Sequence, residues 1–548
     1  MCGAVFVASR AAGFYFYSVG FCFWAAEMEE SMLQIRDLTM THKKDLRVIL
    51  ENFQLTLNAG DKAVIIGEEG NGKSTLLKWI YDPELVEEYI EAQGIRILGK
   101  ERLGYLPQEL PKEEREKTVY EFFSEKECFW NQTPRELAAF AKQFGVREDF
   151  FYTDQKMGTL SGGEKVKVQL LRLLMEEPTA LLLDEPSNDI DIATLELLER
   201  LILDWKGIVL FISHDETLIE NTANMVIHLE QIMRKTKCRY TVAKMPYREY
   251  VENRLNVFEN QRRKAVSDRK EKKIRDEKFQ RVYQSVESGL RSVSRQAPGV
   301  AKNLKDKMHS VKSMQKRFER EDEDMTEMPQ QEDAIFFKLG EKTAAVPAGK
   351  TVIEYQLEEL RAPGEEGRVL AKNIFLRVRG SEKICIVGAN GAGKTTLLKK
   401  IAKELLERTD LHAEYMPQNY DDQLDLSQTP VDFLDQTGEK EMRSKIRTYL
   451  GALKYTADEM EHPMRELSGG QRAKVLLLKM SLSGANVLIL DEPTRNFSPL
   501  SGGVLRNMLR KFPGAIISIS HDRKYIAEVC KKVYELTKDG LKDSQSMI

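Results

Sequence analysis

Two stretches of the chain, GEEGNGKST (67–75) and GANGAGKTT (388–396), set glycines around a lysine and a hydroxyl in the pattern G-x-x-x-x-G-K-[ST]. Each follows an apolar, strand-like run, AVII or ICIV, and opens a helix-like one, LLKWI or LLKKI. Gly67, Gly70 and Gly72, like Gly388, Gly391 and Gly393, let backbone N–H groups close around an anion, and the helix that begins there adds its dipole. Lys73 and Lys394 then reach terminal phosphates. Ser74 and Thr395 present hydroxyls to Mg²⁺, and Thr75 and Thr396 belong to the same loops. A Gly-rich turn is the plain alternative; two matches, each between a strand run and a helix run, argue against it.

Further along, ALLLDEP and VLILDEP read as buried parallel strands ending in two carboxylates. Asp184 and Asp491 are placed to hold Mg²⁺ through water. Glu185 and Glu492, one residue on, point to the other side and can polarise an attacking water. An Asp-Glu pair can also simply cap a strand. His214 and His521 follow IVLFIS and AIISIS, where an imidazole can meet a phosphate or serve as a polar cap. Gln108 and Gln418, each after a proline, can ligate Mg²⁺ or the lytic water through their amide oxygens. Between the copies Ser161 and Ser468, Glu185 and Glu492, and His214 and His521 are all 307 positions apart, which marks a duplicated domain. Earlier the spacing differs: Lys73 to Gln108 is 35 positions and Lys394 to Gln418 is 24, so extra loop is expected in the first copy.

LSGGE (160–164) and LSGGQ (467–471) complete the series. P-loop, glutamine, LSGG, DEP and SHD in this order resemble the ATP-binding cassette superfamily, over about residues 33–230 and 350–540. The resemblance implies an α/β fold, two P-loop ATP-binding cassette domains in tandem, and hydrolysis of ATP with Mg²⁺. It also implies head-to-tail packing. Ser161, Gly162 and Gly163 would cover ATP held by Lys394, and Ser468, Gly469 and Gly470 would cover ATP held by Lys73.

The region between the copies has another composition. Neither Pro nor Gly occurs over 247–288 or 300–328, while Gly289, Pro298 and Gly299 punctuate the middle. This predicts a long α-helical hairpin linker with arms of roughly 60 and 40 Å. Val300, Leu304, Met308, Val311, Met314 and Phe318 give its second arm an apolar stripe. Positions 260–320 hold 19 Lys/Arg against 7 Asp/Glu in a chain of net charge −3. A cationic rod of this kind suits RNA phosphate. Tandem cassettes around such a rod resemble the ABC-F translation factors and ribosome-protection proteins. The likeness implies a ribosomal partner, both rRNA and peptidyl-tRNA, reached through the tip at Gly289, Arg291 and Arg295, whose arginines, in GLRSVSRQAPG, are expected to have no nearby acidic partner. SNDID (187–191) resembles the family's TNHLD, whereas the second copy reads TRNFS, with Ser498 standing where Asp191 stands. Unequal ATP sites are therefore expected. His42 lies roughly where the family's adenine-stacking aromatic belongs, and in the second copy no residue is assigned to that place. Similar glutamine-to-serine spacings, 53 and 50, suggest an arm-less or resistance-type member.

At 548 residues, with 42% hydrophobic and 31% charged, the chain has room for two or more cores and is too apolar for wholesale disorder. Six scattered cysteines exclude a zinc or disulfide scaffold and fit a cytoplasmic setting. The apolar run 11–26 is 16 residues, short of a span of about 20. Residues 1–31 are expected to be a leader upstream of a true start at Met28 or Met32, followed by a cassette over 32–232, the linker over 233–349 and a second cassette over 350–548. The rivals are the energising subunit of a membrane transporter, a DNA-repair or chromosome ATPase, and a nucleotide-gated RNA-binding module.

Overall fold

The computed structural model describes residues 32–188, 190–232, 237–292, 298–323, 326, 345–362, 364, 367–435 and 437–544; the expected leader lies outside them. The first cassette runs β1 (Met32–His42), β2 (Val48–Asn58), β3 (Lys62–Ile66), α1 (Lys73–Tyr81), β4 (Ile90–Ile97), β5 (Leu103–Leu106), a helical lobe over 112–159, α2 (Gly162–Met175), β6 (Ala180–Asp184), α3 (Ile192–Asp204), β7 (Ile208–Ile212), β8 (Met225–Ile232) and β9 (Lys237–Ala243). Every residue of β6 and β7 is buried, which is why they read as unbroken apolar runs: a parallel sheet is covered on both faces. The six strands are ordered β5-β6-β7-β3-β8-β9, parallel except for β9. A second, antiparallel sheet, β2-β1-β4, turns Leu33, Ile35, Leu38 and Met40 inward. Leu76, Leu77 and Ile80 of α1 are buried in the core between the two sheets, so the helix that starts at the P-loop is clamped from both sides.

The linker begins later than its composition suggests. Residues 237–243 form β9, antiparallel to β8, so the first cassette extends past 232 and the chain leaves it at Tyr247. Residues 248–331 are a separate compact unit. In it, α4 (Tyr247–Ser292) and α5 (Pro298–Glu323) have 46 and 26 residues, roughly 69 and 39 Å. Val311 is buried, Phe318 packs edge-on against Phe279 at 5.8 Å, and Leu304 lies against Gly289, whereas Met314 of the expected stripe is exposed. Against the expectation of no nearby acidic partner, Arg291 is ion-paired with Glu287 at 2.7 Å, because helical spacing brings a residue one turn back on the stem alongside it. Arg295 and the side chains of Pro298 and Val300 lie outside the described residues.

The second cassette repeats the plan: β10 (Thr351–Arg361), β11 (Val369–Arg379), β12 (Lys383–Val387), α6 (Lys394–Leu406), β13 (Ala413–Met416), α7 (Gly469–Ser483), β14 (Val487–Asp491), α8 (Pro499–Lys511), β15 (Ala515–Ile519), β16 (Lys532–Thr537) and β17 (Gly540–Asp543). Its large sheet is ordered β13-β14-β15-β12-β16-β17. Its small sheet has two strands, β10-β11. The extra residues between Lys73 and Gln108 are thus not loop: they contain β4, the third strand of the first copy's small sheet. The core also begins before 350, since Val346 is buried with Val352 and Leu376.

Candidate functional site

In each large sheet the strands that precede the motifs are neighbours, so their carboxyl ends gather at one edge. Gln108 follows β5, Asp184 and Glu185 end β6, His214 follows β7, and the P-loop follows β3. The second cassette brings Gln418, Asp491, Glu492, His521 and its P-loop together in the same way. The loop glycines are obligatory: at Gly67 (φ +146°) a Cβ would sit 2.2 Å from the Leu229 carbonyl oxygen, and at Gly72 (φ +84°) 2.2 Å from Ile49. Lys73 Nζ donates to the carbonyls of Gly67 (2.9 Å) and Glu68 (3.0 Å), and Lys394 Nζ to those of Gly388 (2.8 Å) and Ala389 (3.0 Å), which curls each loop around its lysine. Thr75 hydrogen-bonds Tyr89.

The oxygens beside the loops suit a hard cation. Ser74 Oγ donates to Asp184 at 2.9 Å, and burial pushes Asp184 up to about 6 against that bond. Asp491 is likewise pushed up to about 6 by burial, against the Thr395 hydroxyl beside it, and both its carboxylate oxygens are buried. A buried carboxylate beside the Thr395 hydroxyl fits Mg²⁺. Among the described residues no cluster of three or more His, Cys, Asp or Glu offers an all-protein cage.

The two glutamates differ sharply. Both sit at φ +50°, a strained conformation pinned by N–H bonds to Ile212 (3.0 Å) and Ile519 (2.9 Å) on the neighbouring strand. Burial works to raise the Glu185 pKa, but His214 at 3.1 Å, Asn188 and Lys73 overcome it and hold it at about 2; Gln108 also donates to the carboxylate at 3.0 Å. His214 Nδ1 meets the Phe497 carbonyl of the other cassette at 2.7 Å. A carbonyl and a carboxylate both accept, so His214 donates from both nitrogens as imidazolium, and its pKa is raised by Glu185 despite burial. Glu492 meets the His521 N–H at 3.3 Å and the ring at 3.8 Å, and burial with the Asp491 charge pushes it up to about 8 against Lys394 and Arg495. His521 is pushed down to about 4 by burial and Lys394, with Nδ1 buried and unpartnered among the described residues.

Both cassettes line one cavity of about 870 Å³: Ser161 and Gly162 from the first face Lys394, Thr395, Thr396, Gln418, Asp491, Glu492 and His521 from the second. Ser161 and Ser468 each cap their helix in a reciprocal box, with Glu164 and Gln471. Gly163 lies against Thr194, 3.2 Å from where its Cβ would stand. Beyond the second P-loop the wall is Ala362, Arg368 and Leu370, with no aromatic among the described residues lining the cavity, and His42 of the first copy is paired with Asp45 at 3.1 Å. On the other side Gly469 and Gly470, next to Ser468, lie against the first P-loop, whose Glu69 accepts the Gly470 N–H at 2.6 Å and whose Glu68 accepts from Ser498 at 2.7 Å. Glu68 and Glu69 are the residues that sequence reasoning missed; the signal was their replacement by Ala389 and Asn390 in the second copy.

The family described as ABC transporter matches residues 50–188 and 371–495. The chain is 30% identical over 517 residues to the ribosome protection protein VmlR of Bacillus subtilis, covering 90% of this chain and 85% of that one. It is 28% identical over 518 residues to the ATP-binding protein Uup of Buchnera aphidicola, covering 90% of this chain and 79% of the other. Among solved structures, the complex of an archaeal ribosomal stalk protein with the archaeal ribosome recycling factor aABCE1 matches with a TM-score of 0.54 at 18% identity, over 93% of this chain and 90% of that one, a likeness of fold alone.

Proposed function

The chain belongs to the ABC-F family, and on that premise we propose that it is an ATPase that closes on two Mg-ATP, binds the ribosome through its basic helical hairpin, and leaves after hydrolysis, modulating translation or protecting the ribosome from antibiotics. The observation that carries this reading is the shared cavity in which Ser161 of one cassette faces Lys394 of the other. ATP touching both a P-loop and the opposite signature helix does so only when the cassettes are closed, so it stabilises that state selectively. Ser74 and Asp184 in one site, and Thr395 and Asp491 in the other, would hold Mg²⁺, which would supply charge neutralisation to the phosphates. Glu185 and Glu492 orient and deprotonate the attacking water, Gln108 and Gln418 face the same water and cation, and His521 reaches the γ-phosphate. His214, whose two ring nitrogens meet Glu185 and the Phe497 carbonyl, holds Glu185 ionised. The hairpin carries the ribosomal contact through charge, and its partner places the work in the cytoplasm.

Among the described residues no helix is long and apolar enough to cross a membrane. The transporter reading would instead need a separate permease. The test is co-sedimentation of the Glu185→Gln/Glu492→Gln chain with ribosomes. ATP-dependent accumulation in the ribosomal pellet is expected, weakened when the tip is replaced by a short Gly-Ser turn. Absence from the pellet, with a membrane protein co-purifying instead, would favour the transporter reading.

A further inference from the structure

The two cassette interfaces place their acidic charge on opposite sides. Each has a lysine on its signature helix, Lys167 on α2 and Lys474 on α7, at equivalent positions 307 apart. In the interface containing Lys394 the acid is Asp191, on the same cassette as Lys167. It caps α3 by accepting from the Thr194 N–H at 3.0 Å and hydroxyl at 2.7 Å, and against burial those bonds, with Lys167 after them, lower its pKa; the facing P-loop residue is the neutral Ala389. In the interface containing Lys73 that aspartate is Ser498, and the acid is Glu68 on the facing P-loop. Moving the acid across the interface replaces a helix cap within one cassette by a bond between two. Glu68 is nearly enclosed, its side chain 14% exposed and that of Lys474 8%, at 2.9 Å. Its other oxygen accepts from Ser498 at 2.7 Å and Ser501 at 2.6 Å. Burial opposes ionisation, yet Lys474 and the serines hold the carboxyl at about 2. Next to it, Glu69 occupies the Gly470 N–H at the start of α7, a donor with no partner inside its own helix.

We infer that Glu68 and Glu69 latch the Lys73 site to the second cassette without nucleotide, Glu69 standing where a bound triphosphate would place an anion, so that the cassettes part and exchange nucleotide at the Lys394 site. The inference rests on the ATP-binding reading above and adds which site opens. At the Lys394 site the counterpart of Glu69 is Asn390, whose amide lies 4.0 Å from a Cβ built on Gly163 and carries no charge to compete with phosphate.

Hydrogen–deuterium exchange on the full chain, free of nucleotide, tests this directly. In the wild type the segment 468–474 should exchange at least about tenfold more slowly than its counterpart 161–167. Glu68→Ala/Glu69→Asn, which installs the second copy's residues, should abolish that difference. Lys474→Met, which breaks the same bond from the other side without touching the P-loop, should speed exchange over 468–474 in the same direction and decides the matter if the first variant misfolds. Equal exchange of the two segments in the wild type, or unchanged protection in the variants, would overturn the latch. A chain that shows the latch but binds no ATP would refute the proposed function and leave the latch standing.

Discussion

Replacing Glu185 by Gln should leave an enzyme whose remaining turnover climbs steeply with pH, because it then runs on Glu492 alone. A general base works only as carboxylate. Burial and the Asp491 charge push Glu492 up to about 8, so roughly 3% of it is ionised at pH 6.5 and roughly 90% at pH 9, a span of about 30-fold in the active form. The converse variant, Glu492→Gln, runs on Glu185, which His214 and Asn188 hold at about 2; its carboxylate is fully ionised across that whole range. The assay is phosphate release at limiting ATP, since kcat/KM reports ionisations of the free enzyme. The expected result is a slope approaching tenfold per pH unit below pH 8 for Glu185→Gln and no comparable slope for Glu492→Gln. Parallel profiles for the two variants would refute the reasoning that their different surroundings set the two bases.

The double variant Glu185→Gln/Glu492→Gln should bind ATP yet lose at least about 100-fold in turnover, measured by nucleotide binding against phosphate release, because only the water-polarising groups are removed. Gly72→Ala should cost about 2 kcal/mol or more through its positive φ and the contact with Ile49, read as weaker ATP binding and a lower melting temperature, whereas Gly349→Ala, with open space around it, should be neutral in both. In the hairpin, Phe318→Ala removes the ring that meets Phe279 at 5.8 Å and lies under the Arg275 guanidinium at 4.5 Å. It should loosen the pairing of α4 and α5 by about 2 kcal/mol, seen as faster protease cleavage within 272–279 while ATP hydrolysis without ribosomes is unchanged.

The repeated motifs carried most of the site in one dimension. Phosphate cradles need glycine where φ is positive, and parallel strands covered on both faces need unbroken apolar runs, so Gly67, Gly72, Asp184 and His214 were legible without any contact being known. The hairpin was legible for the same kind of reason, since helical periodicity and the absence of Pro and Gly are local properties. Where one strand pairs with another from far along the chain, the sequence was silent: β9 looked like linker and β4 like loop, because their partners, β8 and β1, are chosen by the sheets. The same holds for electrostatics. Glu185 and Glu492 occupy equivalent positions in DEPSN and DEPTR, yet one is held at about 2 and the other pushed up to about 8. His214 closes on Glu185 from the neighbouring strand with its other nitrogen donating to the Phe497 carbonyl of the other cassette, whereas His521 stays 3.8 Å from Glu492. Ser498 looked like a lost charge when read along its own copy. Only the folded interface, by setting Glu68 against Ser498, Ser501 and Lys474 more than 400 positions away, shows that the charge had moved across it.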